Sequence, residues 1–430
     1  MPSKKHPIRQ VAEKPMVKGP NQETTDTGRS RQEKKKFTGR VLVQLDTSTS
    51  ITDILKKAKT RSLRLIPLHD VPAGHMNKGL DDADGIIFER LRVALVNERS
   101  APSIRQLQAL RNTPFLASGP ERYVYACQAH SPKELPFRDT AAATWGIQAT
   151  NVRKSKFSGK DVRLAILDTG FDFTHPDFAG RVIHRKSFVG RQAKDREGHG
   201  THCAGIAAGH RVTTKVWKGK TGMRYGVAPG SRLYVGKILN DEGEGSDGLA
   251  LAGIEWALEQ GCSVISMSFG AQVQKGDKHS LVFEEVAKIA LSNNCLLIAA
   301  TGNESDREEG IIAPVNHPAN CPSVMGVGAL SEYLKISNYS CATVGRAGRS
   351  GGQVDIAAPG DNICSAWIDG GHEFESGTSM AAPFVAGVAA LLWEQYPDAG
   401  AREIWERLIA QVRKLGLRTV GAGAGMVHVP

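Results

Sequence analysis

From Val162 onward, apolar runs of strand length alternate with segments of helical period: "VRLAILDTG", "GHGTHCAGIAAG", "RLYVGKIL", "LALAGIEWALEQ", "SVISMSFG", "VFEEVAKIALSN", "CLLIAATGN" and "SVMGVGAL". Strands this continuously hydrophobic are buried on both faces, so helices must cover both sides of a parallel sheet. The fold class expected for residues 144–430 is α/β. "LWEQYPDAGAREIWERLIAQVRKL" adds closing helices. Within "ESGTSMAAPFVAGVAALL", Phe384 opens a buried helix with Val385, Val388, Ala389 and Leu392 on one face. Pro383 is tolerated only in a first helical turn, where its missing N–H leaves no gap. Ser379 then stands at a helix N-terminus, where backbone N–H groups favour negative charge. Capping is the commoner duty of a serine at such a place.

Residues 37–126 have a different character. "RVLVQLD" alternates like a strand, and "SITDILKKAK" follows with Ser50 and Asp53 spaced as a capping box. "FERLRVALV" keeps Leu91, Val93 and Leu95 in phase, "SAPSIRQLQAL" is helical, and "GPERYVYA" closes the unit as turn and strand. This order predicts a small α+β domain, ferredoxin-like. Residues 127–143 form a connector.

Residues 1–36 are a polar, basic tail with too few large apolar residues to build a core, and disorder is expected there. Residues 1–40 hold eleven Lys or Arg against four Asp or Glu, so +7 of the net +11 lies in them. A nucleic-acid role for "RSRQEKKK" is not expected, because such runs are more often solvated linkers.

No apolar stretch reaches the roughly 18 residues of a membrane helix, so no membrane partner is expected. The N-terminus lacks the apolar segment of a signal peptide. Seven scattered cysteines contain no CxxC pair, which argues against zinc and for buried, reduced thiols. A cytoplasmic location follows as an expectation, with secretion as the alternative if the start is misassigned or export is unconventional.

In open parallel sheets, chemistry gathers beyond the C-terminal strand ends. Asp168 ends one such run, Asn303 follows another, and Ser268-Phe269-Gly270 ends a third. His199 lies in a glycine-rich turn into a small-residue helix. With Ser379, these supply a nucleophile, a general base, an orienting carboxylate and an amide donor for acyl transfer. Each residue alone has a plainer reading as a turn former, cap or core histidine. The order Asp, His, Ser, at separations of 31 and 180 residues, is that of the subtilisin triad.

The motifs "AILDTGFDFTHPDF", "GHGTHCAGIAAG", "ISMSFG", "AATGNES", "IAAPG" and "SGTSMAAPFVAGVAALL" resemble those of the subtilisin-like serine peptidases, from about Trp145 to Val429. "GHGTHC" and "ICSAWIDGG" lean toward the proteinase K branch. The resemblance implies a serine endopeptidase in which Asp168 orients His199 and His199 takes the proton of Ser379. Asn303 and the Ser379 backbone N–H would form the oxyanion hole. Gly243-Glu244-Gly245 and Ser268-Phe269-Gly270 would bind an extended peptide or unfolded protein between them.

Glu304, with Asp306, Glu308 and Glu309, lies near the expected P1 pocket; a taste for basic P1 residues competes with a merely solvated acidic loop. Cys203, one turn after His199, would pack beneath the imidazole. The 37–126 unit has the size and order of the family's propeptides, which makes it an intramolecular partner and places a processing point between Cys127 and Ala143. No cofactor is required for catalysis. Asp177 matches a calcium ligand of the family, but a lone carboxylate beside a basic loop suits that ion poorly, and structural calcium stays open. A peptide ligase or macrocyclase using the same acyl-enzyme, and a non-catalytic binding protein, are the alternatives.

Overall fold

The computed structural model describes residues 36–72, 74–126, 137–213, 222–344 and 352–429. The basic tail and most of the expected processing interval lie outside them. The chain begins with β1 (Phe37–Leu45), α1 (Ile51–Lys59), β2 (Leu65–Pro67), α2 (Met76–Asp82), β3 (Gly85–Phe88), β4 (Val93–Val96), α3 (Ala101–Gln108) and β5 (Phe115–Ala126). These strands lie in the order β5-β1-β4-β3-β2. Apart from the short edge strand β2, that is the ferredoxin-like order. Ser50 caps α1 by accepting the N–H of Asp53. "FERLRVALV" is not one strand, because Phe88 ends β3 and Arg92, at φ 54°, turns the chain into β4.

This small sheet is apolar on both faces. Val43, Ala94 and Phe115 pack with Ile54 of α1 and Leu107 of α3. Leu42, Phe88, Val93 and Leu95 instead join a core shared with later parts of the chain. Residues 36–430 therefore form one compact unit.

The remainder runs α4 (Trp145–Ala149), β6 (Arg163–Asp168), β7 (His184–Ser187), α5 (His199–Ala208), β8 (Arg232–Lys237), β9 (Glu244–Ser246), α6 (Asp247–Glu259), β10 (Val264–Met267), β11 (Phe269–Gly270), α7 (Leu281–Ser292) and β12 (Leu296–Ala300). It continues with β13 (Met325–Leu330), β14 (Ile356–Pro359), β15 (Ile363–Ala366), β16 (His372–Glu375), α8 (Thr378–Gln395), α9 (Ala401–Ala410) and α10 (Thr419–Ala422). Seven strands form one sheet in the order β14-β13-β12-β10-β6-β8-β7, and every pair is parallel. Successive residues of β6 feed opposite cores. Leu164 and Ile166 join the cluster of α5 and α8, and Ala165 and Leu167 that of α6 and α7. The expected parallel sheet with two covered faces is what forms.

One local expectation fails. α8 begins at Thr378, so Pro383 lies inside the helix and not in its first turn. A proline there cannot donate to the carbonyl four residues back, which is that of Ser379. That carbonyl is satisfied from outside the helix, by the hydroxyl of Ser268 at 2.7 Å and the thiol of Cys203 at 3.5 Å. Among the described residues, no helix is long and apolar enough to cross a membrane.

Candidate active site

The strand ends bring the predicted residues together. Asp168 is the last residue of β6, His199 the first of α5 and Ser379 the second of α8, and Asn303 follows β12. All of these except Asn303 are fully buried. His199 Nδ1 lies 2.7 Å from Asp168 Oδ1. That carboxylate oxygen also accepts the N–H of Thr169 at 2.7 Å. Burial works against a charged imidazole, but the adjacent Asp168 outweighs it and raises the His199 pKa well above the usual histidine range. His199 Nε2 has no hydrogen-bond partner, while Ser379 Oγ donates to the carbonyl of Ser268 at 2.8 Å. The serine hydroxyl is thus engaged by the loop that follows β10 and not by His199.

Gly198 sets the direction of the histidine. It adopts φ 115°, and a Cβ there would sit 2.3 Å from the Trp367 ring, so only glycine fits. Asp195 fixes the same loop by accepting the N–H groups of Glu197, Gly198 and Thr201 and the hydroxyls of Thr169 and Thr201. Sequence reasoning missed Asp195. An aspartate four residues before the histidine, in the turn-forming stretch "DREGHG", was the available signal.

Asn303 is clamped at both ends. Its Oδ1 accepts the N–H and the hydroxyl of Thr378, each at 2.9 Å, and its backbone N–H donates to Glu304 Oε2 at 2.8 Å. The Nδ2 group is buried without an acceptor, leaving an amide donor beside the serine. Glu304 Oε2 also accepts from Asn316 Nδ2 at 2.9 Å and from the Cys341 thiol at 3.2 Å. This carboxylate faces inward, whereas Glu308 and Glu309 are exposed. Cys203 Sγ lies 3.9 Å from His199 Nδ1, and burial raises its thiol pKa.

The two segments expected to hold a peptide are β9, preceded by Gly243, and β11, preceded by Ser268. Both are already paired. β5 runs antiparallel between them, with Tyr125 opposite Glu244 and Val124 opposite Gly245 on one side. Ala126 is opposite Phe269 and Tyr125 opposite Gly270 on the other. Two carboxylates fasten this strand. Glu121, fully buried, accepts the N–H of Gly248 in the first turn of α6 and the side chains of Thr38 and Arg40. Its approach requires glycine, since a Cβ on Gly248 would lie 2.7 Å from Glu121 Oε1. Asp247 accepts the N–H of Arg122 and pairs with His317 at 2.8 Å.

Asp177 does not offer an open carboxylate. Its oxygens receive the N–H and hydroxyl of Thr213, the Tyr225 hydroxyl and His372 Nε2. A hard cation wants six to eight oxygen ligands, and here protein donors already occupy the one carboxylate the sequence suggested for it. Asp177 does not fit a calcium site.

Residues 159–426 match the model of the subtilase family of peptidases. The chain belongs to the subtilase family. Subtilisin DY of Bacillus licheniformis is 32% identical over 285 residues, covering 66% of this chain and 94% of that protein. The major intracellular serine protease of Bacillus subtilis (strain 168) is 32% identical over 295 residues, covering 66% of this chain and 86% of its own. Among solved structures, sphericase superposes with a TM-score of 0.57 at 28% identity, covering 66% of this chain and 98% of that one. This subtilase is a serine protease, a hydrolase acting on peptides. These matches do not single out the proteinase K branch toward which the motifs lean. The span matched by the family begins after the N-terminal unit, whose place in the molecule follows from its contacts.

Proposed function

We propose that this subtilase is a serine endopeptidase that holds its own N-terminal unit in the substrate cleft and releases it by self-cleavage. The observation that carries the reading is the double pairing of β5 with β9 and β11, the way an extended peptide adds as a strand. For cleavage, Ser379 turns from the Ser268 carbonyl toward His199, which takes its proton as Oγ attacks the peptide carbonyl. Asn303 Nδ2 and the Ser379 N–H stabilise the oxyanion. His199 then returns the proton to the leaving amine, and water hydrolyses the acyl-enzyme. Asp168 holds the imidazole in the tautomer and orientation this requires.

The pairing of β5 reaches Ala126, opposite Phe269, which is next in the chain to Ser268. Self-cleavage is therefore expected directly after Cys127, the first position of the interval 127–143. No cofactor takes part, and the filled donor set of Asp177 supports a fold that does without calcium there. The substrates are extended peptides and unfolded chains.

Peptidase assays on Asn303→Ala test the oxyanion assignment. The expected loss is about 10²–10³ in kcat with little change in KM, the effect that removing the equivalent donor has in subtilisin. An unchanged kcat would remove Asn303 from the reaction.

A further inference from the structure

Residues 140–160, 198–240 and 407–430 contain no Asp or Glu, in a chain where 44 of 430 residues are acidic, yet they hold four, seven and four Lys or Arg. The fold joins parts of these three stretches. Arg211 and Arg224 face each other across an antiparallel bridge beyond α5. The Arg224 N–H donates to the Ala142 carbonyl, and its own carbonyl accepts the N–H of Thr144. Then come α4 and a 3₁₀ turn, Val152–Lys154, that carries Arg153 and Lys154. The residues before that turn are laced to the C-terminal segment, since the Thr150 carbonyl accepts the Val429 N–H and Asn151 donates to the Val429 carbonyl. Arg413 pairs with Met426 of the same segment.

The cations form a row. Arg224 has Arg211 and Arg153 beside it, and half-buried His428 has Arg413 and Lys154. The order along the face is therefore Arg211, Arg224, Arg153, Lys154 and Arg413. Burial, and then these neighbours, hold the pKa of Arg224 and of His428 below the usual range of each. His210 is lowered in the same way, by burial and by Arg211, Arg224 and Arg181, against a weaker pull from Asp177. Arg224 spends its fork on the carbonyls of Gly226 and Val227, and Arg211 gives one donor to Gly222. Arg153, Lys154 and Arg413 are exposed, and among the described residues their side chains meet no hydrogen-bond or salt-bridge partner. Like charges gathered without counter-charges repel one another, and an anion laid along them relieves that repulsion.

A row built from three stretches of chain suits a linear polyanion better than one small ion. Four of its five cations are arginines, whose planar forks match the paired oxygens of a phosphate. Among the described residues, no exposed large apolar side chain lies within five positions of any cation in the row, so a bilayer would find no anchor to bury. We infer that this row binds the phosphate backbone of nucleic acid, irrespective of base sequence. The proposed reaction uses none of these residues, so the inference goes beyond the endopeptidase reading, and it stands apart from the charges of the N-terminal tail.

The test uses the full chain as Ser379→Ala, so that it stays intact, and a fluorescein-labelled DNA duplex of about 20 base pairs. Binding should be micromolar at about 50 mM salt, and log K should fall against log salt with a slope of about −3 to −4, the mark of about four neutralised phosphates. Adding Arg153→Glu and Lys154→Glu should weaken binding at least about tenfold and flatten the slope by about 2, with the melting temperature unchanged. Arg413→Glu alone should weaken it about threefold. Arg31→Gln, Lys34→Gln and Lys35→Gln, placed together in the tail, should change the affinity less than about twofold. No binding at low salt, face variants that bind like the parent, or a loss confined to the tail variant would overturn the site. Equal binding to poly-glutamate, or to vesicles with about one-third phosphatidylserine, would overturn nucleic acid as the partner.

Discussion

Asn303 shows how much a single side chain's duty depends on its neighbours. Its amide is held at Oδ1 by Thr378 and at the backbone by Glu304, so in the proposed reaction Glu304 is a positioning residue for the oxyanion donor. Glu304→Gln, which keeps an acceptor but loses the charge, is expected to lower kcat about tenfold, the worth of a weakened charge-assisted hydrogen bond. KM and the ratio of cleavage after Lys to cleavage after Ala should stay put. A selective loss on Lys or Arg substrates would make Glu304 a P1 determinant instead. Asp168, His199, Ser379 and Asn303 were legible in the sequence because each sits in a motif whose glycines and small residues leave few other conformations. The inward turn of Glu304 was not, since a run such as "NESDREEG" shows its charges and not which of them finds three buried donors. Asp177 is the same case: a carboxylate is visible in the chain, and only the fold reveals Thr213, Tyr225 and His372 around it.

Among the elements, β5 and α6 decide whether the cleft is open in the proposed latent form. Glu121 joins the β5 strand to the first turn of α6, where unpaired N–H groups and the helix dipole favour a carboxylate. Glu121→Ala leaves the Gly248 N–H and Arg40 short of a buried acceptor, and docking should weaken by about 2 kcal/mol. The lag before peptidase activity appears should shorten accordingly, with the melting temperature of the seven-stranded sheet region little changed. An unaltered lag would mean that Glu121 does not fasten the N-terminal unit. The strands themselves were readable because unbroken apolar runs have few alternatives to a doubly covered parallel sheet. The start of α8 was misread because propensity places Pro383 at a helix opening, whereas here Ser268 and Cys203 supply the donors that the proline removes. That β5 pairs with β9 and β11 could not be seen either, because the pairing joins residues more than a hundred positions apart.

For the molecule as a whole, the proposed docking of the N-terminal unit is linked to pH through Glu255 on α6. Its carboxylate accepts the N–H groups of Arg90 and Leu91 from the N-terminal unit, and burial in that contact pushes its pKa up to about 7, against the opposing pull of those two bonds. Once released to water the group returns toward its ordinary value near 4.5. Between those values the docked form holds a proton that the released form gives up. Docking is therefore favoured below that window and fades as pH rises through about 7. Inhibition by the N-terminal unit should loosen roughly tenfold between about pH 5.5 and about pH 8, and Glu255→Gln should flatten the profile. A profile in which inhibition tightens as pH rises would reverse this linkage. Metal dependence belongs to the same level. With the Asp177 carboxylate filled by protein donors, a chelator such as EDTA should leave the melting temperature within about 1 °C, against the several degrees that loss of a stabilising ion would cost.

The intact mass of purified wild type beside Ser379→Ala tests the latent, self-cleaving protease most directly. The expected result is a wild type split after Cys127, with a mature chain starting at Gln128, and a full-length Ser379→Ala protein. Equal shortening of both proteins, or a wild type that stays full-length while Ser379→Ala does the same, would contradict it.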